Sequence, residues 1–215
     1  AWMALLLLAS ASHRRHSWLS DWVDGTGTDI EVRPLISAES RPSVGLEVGV
    51  QAEAICLAKA EAAAREIFLS GDSDFKFVVV ADTLVEDPED PLVAMGKPDD
   101  AMAAAAMLLR LSGRKHRVWS STALLYPPDG QQEGAEVLHG GWSANVWTDS
   151  AVVEFEDLSE DRLVELVRNE SWHGKAGAYD LRGHASRNAV LIEGFEVTVL
   201  GFAHTAMDAL LESLD

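Results

Sequence analysis

Short apolar runs alternate along the chain with amphipathic stretches, and this pattern is typical of an α/β protein. The first apolar run covers residues 3–9 (MALLLLA), and apolar side chains then recur at helical spacing over residues 14–23. Residues 75–81 (FKFVVVA) are apolar and rich in valine, which predicts a buried central strand that ends at Asp82. We therefore expect strands and helices to alternate, with Asp82 at the end of a strand.

The same pattern predicts the other elements. Predicted strands cover residues 3–9, 29–36, 75–81, 117–126, 137–155, 190–193 and 196–200, and predicted helices cover 14–23, 51–68, 101–111, 160–169 and a final C-terminal segment. Asp99 or Asp100 is placed to cap the third helix and Ser159 the fourth, and residues 87–91 (DPEDP) predict an acidic turn. The sequence contains neither an internal repeat nor a low-complexity linker, so we expect a single domain over residues 1–215.

Acidic residues outnumber basic residues by 35 to 17, which gives a formal net charge of -18. A surface of this sign argues against non-specific binding to nucleic acid or to an anionic membrane. The apolar run at 3–9 is also far shorter than the roughly 20 residues that span a bilayer. Any anionic ligand must therefore meet a local cluster of basic side chains.

The single cysteine, Cys56, rules out a disulfide framework and a cysteine-rich zinc module. Its neighbours Ile55 and Leu57 predict a buried thiol. A chain of this kind is compatible with a reducing environment, so we expect a cytoplasmic protein.

Several common catalytic motifs are missing from the sequence. Gly96-Lys97 is followed by Pro98, and Gly174-Lys175 by alanine, where a P-loop needs Ser or Thr to hold magnesium. The chain also lacks the G-x-S-x-G elbow of serine hydrolases and the H-E-x-x-H helix of zinc proteases. P-loop nucleotide binding, serine hydrolysis and zinc proteolysis are therefore poorly supported.

The basic residues follow an unusual pattern. Lys59, Lys97 and Lys175 stand beside Ala, Gly or Pro in segments that otherwise carry little charge. Arg14 and Arg15 follow the first predicted strand, where the start of the next helix presents free N–H groups and a positive dipole end. With Ser10 and Ser12, the two arginines form either a phosphate cradle or an ordinary turn.

Two carboxylates are candidates for the accompanying chemistry. Asp82, with Thr83 beside it, is placed either on the catalytic rim of an open sheet or in a turn that it caps. Glu39 lies in a polar loop, where it binds a metal or is simply solvated. Cations that offset phosphate charge, together with carboxylates that hold a divalent metal or activate water, are what hydrolysis of a phosphoanhydride requires.

Six short motifs then occur in an order and at spacings that resemble the Maf family of nucleoside triphosphate pyrophosphatases. They are LASASHRR at 8–15, ADT at 81–83, GKP at 96–98, LSGR at 111–114, KAGAY at 175–179 and IEG at 192–194. The resemblance covers nearly the whole chain. It implies a mixed α/β fold with a strongly twisted sheet and flanking helices, elongated and two-lobed around a central cleft, and related to the inosine triphosphatases.

The resemblance also implies an activity and a set of site residues. Family members form homodimers and use a divalent metal, Mg²⁺ or Mn²⁺, to cleave nucleoside triphosphates into a monophosphate and pyrophosphate. The family's catalytic base falls on Asp82, and its metal-binding carboxylates fall on Asp82 and Glu39. Its substrate-binding positions fall on Ser10, Arg14, Arg15, Lys59, Thr83, Lys97, Lys175 and Arg182.

Substrate preference within the family follows three of these positions. Arg14 and Thr83 match the branch that acts on dTTP and UTP, whereas Arg182 stands where that branch has Gln. An arginine donates hydrogen bonds and adds charge but cannot accept, so this change affects recognition of the base. Further departures at His13 and Phe202 keep open an alternative, a nucleotide-binding regulator of cell division with weak turnover.

Overall fold

The computed structural model describes residues 4–37, 40–71 and 74–214. A mixed sheet of parallel and antiparallel strands forms its centre. Its strands are β1 (Ala4–Leu8), β2 (Thr28–Val32), β3 (Phe77–Asp87), β4 (Asp90–Met95), β5 (Lys115–Tyr126), β6 (Glu136–Val137), β7 (Ser143–Phe155) and β8 (Ala189–Glu193). They lie in the order β2-β1-β3-β5-β7-β6, with β4 beside β3 and β8 beside β7. Strand β1 is parallel to β2 and β3, and the other pairs are antiparallel.

Helices flank this sheet. They are α1 (His13–Trp22), α2 (Val48–Ser70), α3 (Ala101–Leu111), α4 (Glu160–Arg168), α5 (Glu196–Leu200) and α6 (His204–Leu214). The predicted caps are confirmed, because the side chain of Asp100 accepts a hydrogen bond in the first turn of α3 and that of Ser159 does so in α4. Within the described part of the chain, we find no helix with the length and apolar character needed to cross a membrane.

Both faces of the sheet are buried at its centre. Alternate residues of β1 point to opposite faces: Leu7 packs with the α2 residues Cys56 and Ala60, whereas Leu6 and Leu8 pack with α1 and α6. Burial on both faces explains why this strand is an uninterrupted apolar run. Cys56 is fully buried, as predicted, and burial raises the pKa of its thiol to about 12.

A belt of polar residues crosses the three long strands near their middles. This polar belt consists of Asp82 and Thr83 on β3, Ser120, Ser121 and Thr122 on β5, and Thr148 and Asp149 on β7. The register places Asp82 opposite Ser121 and Thr83 opposite Ser120. Apolar clusters lie on both sides of the belt. On one side, a cluster around α2 and another around α1 and α6 cover opposite faces of the sheet, and on the other side a third cluster surrounds α3 and α4.

Four expectations about elements are wrong. Strand β3 does not end at Asp82 but continues to Asp87, because the polar residues find polar partners across the sheet on β5. The acidic turn is shorter than predicted, since residues 90–95 return as β4. Residues 196–200 form helix α5 rather than a strand, and the predicted strand at 137–155 is broken at Gly140, which adopts a φ of 67°.

Candidate active site

One cavity of about 280 Å³ opens beside the middle of β3. Its walls come from the end of β1, the first turn of α1, the middle of β3, one side chain of α2 and three loops, near residues 34–37, 97 and 175. The parallel pairing of β1 with β3 brings these segments together, and the N–H of Ala9 donates to Val79 O at 3.0 Å. The cavity contains most of the predicted site residues, namely Ser10, Arg14, Arg15, Lys59, Asp82, Thr83, Lys97 and Lys175.

The first turn of α1 forms one wall. The side chain of Ser12 caps the helix by accepting a hydrogen bond from the N–H of Arg15, at 3.3 Å. Ser10 Oγ accepts from the N–H of Ser12 at 3.2 Å. These two bonds fix the turn, so that the positive end of the helix dipole and both arginines face the same cavity.

Arg15 is held on several sides. Its Nε donates to the carbonyl oxygen of Gly201 at 2.8 Å, and its Nη2 donates to Thr83 Oγ1 at 3.0 Å. The guanidinium carbon also lies 6.0 Å from the centre of the Phe202 ring. A planar guanidinium held in this way is preorganised to meet an anion.

Asp82 is the acidic group of the cavity, and it is only 8% exposed. Its Oδ1 lies 2.7 Å from Nζ of Lys59, which reaches across from α2. Its Oδ2 is buried and makes no hydrogen bond to any residue that the structure describes. A buried carboxylate oxygen without a partner is costly, which makes it a candidate for binding water, metal or substrate.

Arg14 and Lys175 both line the cavity. Arg14 Nη1 is 3.3 Å from Oδ1 of Asp180, and the two side chains are 18% and 19% exposed. Partial burial lowers the pKa of Lys175, and the charge of Arg14 lowers it further, whereas Asp180 acts in the opposite direction. Because both side chains line the cavity and the charge of Arg14 acts on Lys175, their two positive charges are close enough to act on one ligand.

Two loops carry Lys97 and Lys175 to the cavity, and a backbone hydrogen bond joins them. The N–H of Gly177 donates to Gly96 O at 3.1 Å. Gly177 adopts a φ of +67°, and a Cβ there would lie 2.8 Å from Val85 Cγ2. Glycine is therefore required at this position by both conformation and space.

Of the predicted site residues that the structure describes, Arg182 is not among those that line the cavity. Arg182 is 55% exposed and pairs with Glu196, with Nε 2.8 Å from Oε1. Glu39 lies outside the described residues.

Sequence reasoning missed several residues around the site. His173 lines the cavity, whereas its neighbour Trp172 is buried in the core. The sequence also gave no indication of Asp180 or Gly201, because each acts on an arginine far away along the chain. Three successive hydroxyl residues in β5, at 120–122, were the available signal for buried polar contacts.

The donor groups of the cavity suit a metal that arrives together with a phosphate ligand. Among residues 4–37, 40–71 and 74–214, no group of three His, Cys, Asp or Glu side chains is arranged to hold a metal ion. Mg²⁺, however, is often bound through one or two carboxylates plus substrate phosphates rather than by a complete protein cage. The hydrogen-bond-free Oδ2 of Asp82 fits that kind of site.

Known proteins with similar sequences or folds match this chain over most of its length. The sequence is 34% identical over 209 residues to a dTTP/UTP pyrophosphatase of Moorella thermoacetica, covering 97% of this chain and 94% of that protein. It is 31% identical to a dTTP/UTP pyrophosphatase of Nitratidesulfovibrio vulgaris, covering 96% and 86%. The solved structure of a HAM1 protein from Coxiella burnetii shares the fold at a TM-score of 0.53 and 11% identity, covering 98% of this chain and 100% of that one.

The mixed α/β fold expected from the sequence is therefore confirmed. A family model described as Maf-like protein matches residues 5–214, which is nearly the whole chain. Four of the six motifs that carry the resemblance, 8–15, 81–83, 96–98 and 175–179, contribute residues to the cavity. From this match and the identity to its relatives, the chain belongs to the Maf-like protein family.

Proposed function

We propose that this protein hydrolyses pyrimidine nucleoside triphosphates, dTTP or UTP, to a nucleoside monophosphate and pyrophosphate. The observation that carries the proposal is the position of Asp82: its Oδ2 is buried without a hydrogen-bond partner among the described residues, in a cavity lined by five basic side chains. Relatives at 34% and 31% identity that bear the name dTTP/UTP pyrophosphatase support the substrate class.

The charge of the cavity suits a triphosphate. Arg14, Arg15, Lys59, Lys97 and Lys175 line it, although the whole chain carries a formal charge of -18. Cations held at fixed positions offset the charge of phosphate oxygens, both in the bound substrate and while the anhydride bond breaks. We assign the substrate contacts to these residues together with Ser10, and Thr83 serves the same site through its hydrogen bond with Arg15. Arg182 is left out, because it is not among the residues that line the cavity and pairs instead with Glu196.

In the proposed reaction, a water oxygen forms a bond to the α-phosphorus. At the same time, the bond between the α-phosphorus and the oxygen that bridges it to the β-phosphorus breaks. Pyrophosphate departs with the bonding electrons, and the proton of the water passes to Asp82. Lys59 engages Oδ1 of this carboxylate at 2.7 Å, so Oδ2 is the atom that accepts the proton or the metal. In-line attack requires the water and the anhydride to be aligned, and the surrounding cations provide that alignment.

We also propose a divalent cation, Mg²⁺ or Mn²⁺, held by Asp82, by Glu39 and by the phosphates of the substrate. A bound cation neutralises charge on the phosphate oxygens.

As the family resemblance implies, we further propose a cytoplasmic homodimer. The buried thiol of Cys56, which needs no oxidising compartment, is consistent with that location, and exposed apolar residues such as Leu92 and Val93 on edge strand β4 are consistent with a subunit contact.

The test is the substitution Asp82→Asn. We expect at least about a hundredfold lower release of pyrophosphate from dTTP or UTP in Mg²⁺ or Mn²⁺, the loss typical of removing a general base. The matched control is Asp87→Asn on the same strand. Each variant removes an ion pair of 2.7 Å, with Lys59 or with Arg110, but Asp87 does not line the cavity.

The control variant separates chemistry from folding. Both variants lose stability, but only Asp82→Asn is expected to lose turnover. Turnover like that of the wild type in Asp82→Asn would refute the assignment of this residue. Tight binding of dTTP or UTP by the wild type without any monophosphate product would instead favour the regulatory alternative.

A further inference from the structure

Three successive residues of strand β5 carry buried hydroxyl groups. They pair with the part of β3 that lines the cavity. Ser120, Ser121 and Thr122 are each fully buried. A buried hydroxyl is costly unless it is hydrogen-bonded, and all three have partners. Ser120 Oγ donates to the carbonyl oxygen of Thr198 at 2.7 Å, and Thr122 Oγ1 accepts from the N–H of Ala203 at 2.8 Å.

The direction of the bonds around Ser120 follows from counting protons. A hydroxyl has one proton to donate, and Ser120 gives its proton to Thr198 O. Thr83 Oγ1 lies 2.8 Å from Ser120 Oγ, so Thr83 must be the donor in that pair. Because the hydroxyl proton of Thr83 is donated to Ser120, Thr83 Oγ1 can only accept from Arg15, and it accepts the hydrogen bond from Nη2 at 3.0 Å. The chain of donation therefore runs from Arg15 to Thr83, then to Ser120, and ends at the backbone.

The other side of the guanidinium is anchored to the same short segment. Nε of Arg15 donates to the carbonyl oxygen of Gly201, which follows α5, at 2.8 Å. Thr198 lies in α5 itself. Residues 198–201 thus fix Arg15 twice, once directly and once through the hydroxyls of Thr83 and Ser120.

We propose that Ser120 is a positioning residue for Arg15 and that it acts through Thr83. The proposal rests on the proposed function only in taking a polyphosphate as the anion that Arg15 meets. Thr83 then contributes by holding the guanidinium, since its proton is already donated to Ser120 and is not offered to a base or a phosphate. An arginine fixed before binding loses less side-chain entropy when the anion arrives.

The test compares two adjacent serines. Ser120→Ala breaks the chain of donation, whereas Ser121→Ala removes an equally buried hydroxyl that interacts with Thr148 and does not line the cavity. We measure the binding of inorganic tripolyphosphate by calorimetry, the KM and kcat for dTTP, and the melting temperature. For Ser120→Ala we expect roughly tenfold weaker tripolyphosphate binding and a similar rise in KM with kcat nearly unchanged, the mark of a lost contact that acts equally in the ground and transition states. Ser121→Ala should bind like the wild type.

Thr83→Val provides a second route that does not depend on the folding of Ser120→Ala. It removes the hydroxyl at nearly constant volume and should weaken tripolyphosphate binding to the same extent. Because both residues act through one chain of bonds, the double variant should be no weaker than Thr83→Val alone. Additive losses in the double variant would overturn the proposal.

The binding and turnover measurements distinguish the two proposals. If the wild type hydrolyses dTTP while Ser120→Ala and Thr83→Val both bind tripolyphosphate normally, the positioning role is wrong and the proposed function stands. If the wild type binds tripolyphosphate without turnover and Ser120→Ala weakens that binding, the function is wrong and the positioning role stands. A wild type that does not bind tripolyphosphate would overturn the positioning role.

Discussion

At the scale of single residues, the two oxygens of Asp82 have different surroundings. Lys59 Nζ lies 2.7 Å from Oδ1, and this pairing offsets the cost of burying the carboxylate. Oδ2 has no hydrogen-bond partner among the described residues, so its burial costs free energy. Proteins usually tolerate such an unfavourable local arrangement where it serves a function. The carboxylate is therefore anchored on one side and available on the other, which is the arrangement that a base or a metal ligand needs.

Gly201 helps to fix the side chain of Arg15, because its carbonyl oxygen accepts a hydrogen bond from Arg15 Nε. Its φ of +135° is rarely adopted by residues with a side chain, and a Cβ there would lie 2.8 Å from Arg15 Nε. We expect Gly201→Ala to lower the free energy of unfolding by about 1–3 kcal/mol. It should also weaken tripolyphosphate binding, because the methyl group displaces the guanidinium. Urea unfolding and calorimetry measure the two effects.

The control for this prediction is Gly27→Ala. Gly27 has a φ of +73°, but no atom lies within 4 Å of the added Cβ, so the substitution introduces backbone strain without a collision. It should lower stability and leave tripolyphosphate binding unchanged. If Gly201→Ala also left binding unchanged, the contact between Gly201 and Arg15 would be irrelevant to the site.

At the scale of elements, the errors of the sequence prediction have one physical cause. The sequence predicts the end of a strand at Asp82, because polar residues rarely continue a buried strand. The partners of Asp82 and Thr83 on β5 lie nearly forty residues away, so the polar belt exists only once β3 pairs with β5. Local patterns predict an apolar strand well, but they do not show a polar stretch that another strand satisfies.

Helix α5 illustrates the same limit. The sequence EVTVL at 196–200 has a high preference for strand, yet its last four residues are buried as a single helical turn. Burial of a short segment between the sheet and the neighbouring helices overrides intrinsic β preference, which depends strongly on context. Most cavity residues were still predicted, because they belong to motifs, whereas Ser120 and Gly201 act through contacts distant in sequence.

The contact between the two lysine loops leads to a prediction at this scale. Gly177→Ala forces a side chain into a φ of +67° and brings its Cβ to 2.8 Å from Val85 Cγ2. We expect a loss of stability of about 2–4 kcal/mol, combining strain with overpacking. The collision should also separate the loops that carry Lys97 and Lys175 and raise the KM for dTTP.

Gly174→Ala is the matched control for stability. Gly174 has nearly the same φ, +68°, in the same loop, but no atom lies within 4 Å of the added Cβ. It should lose only the strain contribution, about 1 kcal/mol. Equal losses of unfolding free energy in the two variants would show that the contact of Gly177 with Val85 is unimportant.

At the scale of the whole molecule, charge is distributed unevenly. Five basic side chains line one cavity, while the complete chain carries a formal charge of -18. A small anion that enters the cavity meets the local positive field, whereas a long polyanion must also lie against acidic surface. The local positive field therefore suits a small anion such as the proposed nucleotide.

A buried histidine leads to a prediction of how the stability of the whole fold responds to pH. His116 is 4% exposed, its Nε2 lies 2.8 Å from Tyr179 Oη, and burial lowers its pKa from 6.5 to about 4. As the pH falls below 6.5, the unfolded chain takes up a proton at this residue that the folded protein does not. Unfolding is favoured in that window, so stability falls progressively between pH 6.5 and 4.

We expect the free energy of unfolding to fall by roughly 3 kcal/mol across this window because of His116. Asp87, Glu61 and Glu196 also have lowered pKa values, but their ordinary values of 3.8 to 4.5 place their losses of stability at lower pH. Urea unfolding at intervals from pH 7 to 5 measures the slope. His116→Gln keeps a polar group near Tyr179 but cannot titrate, so its slope should be much flatter in this range. An unchanged slope in His116→Gln would assign the acid sensitivity of the fold to other groups.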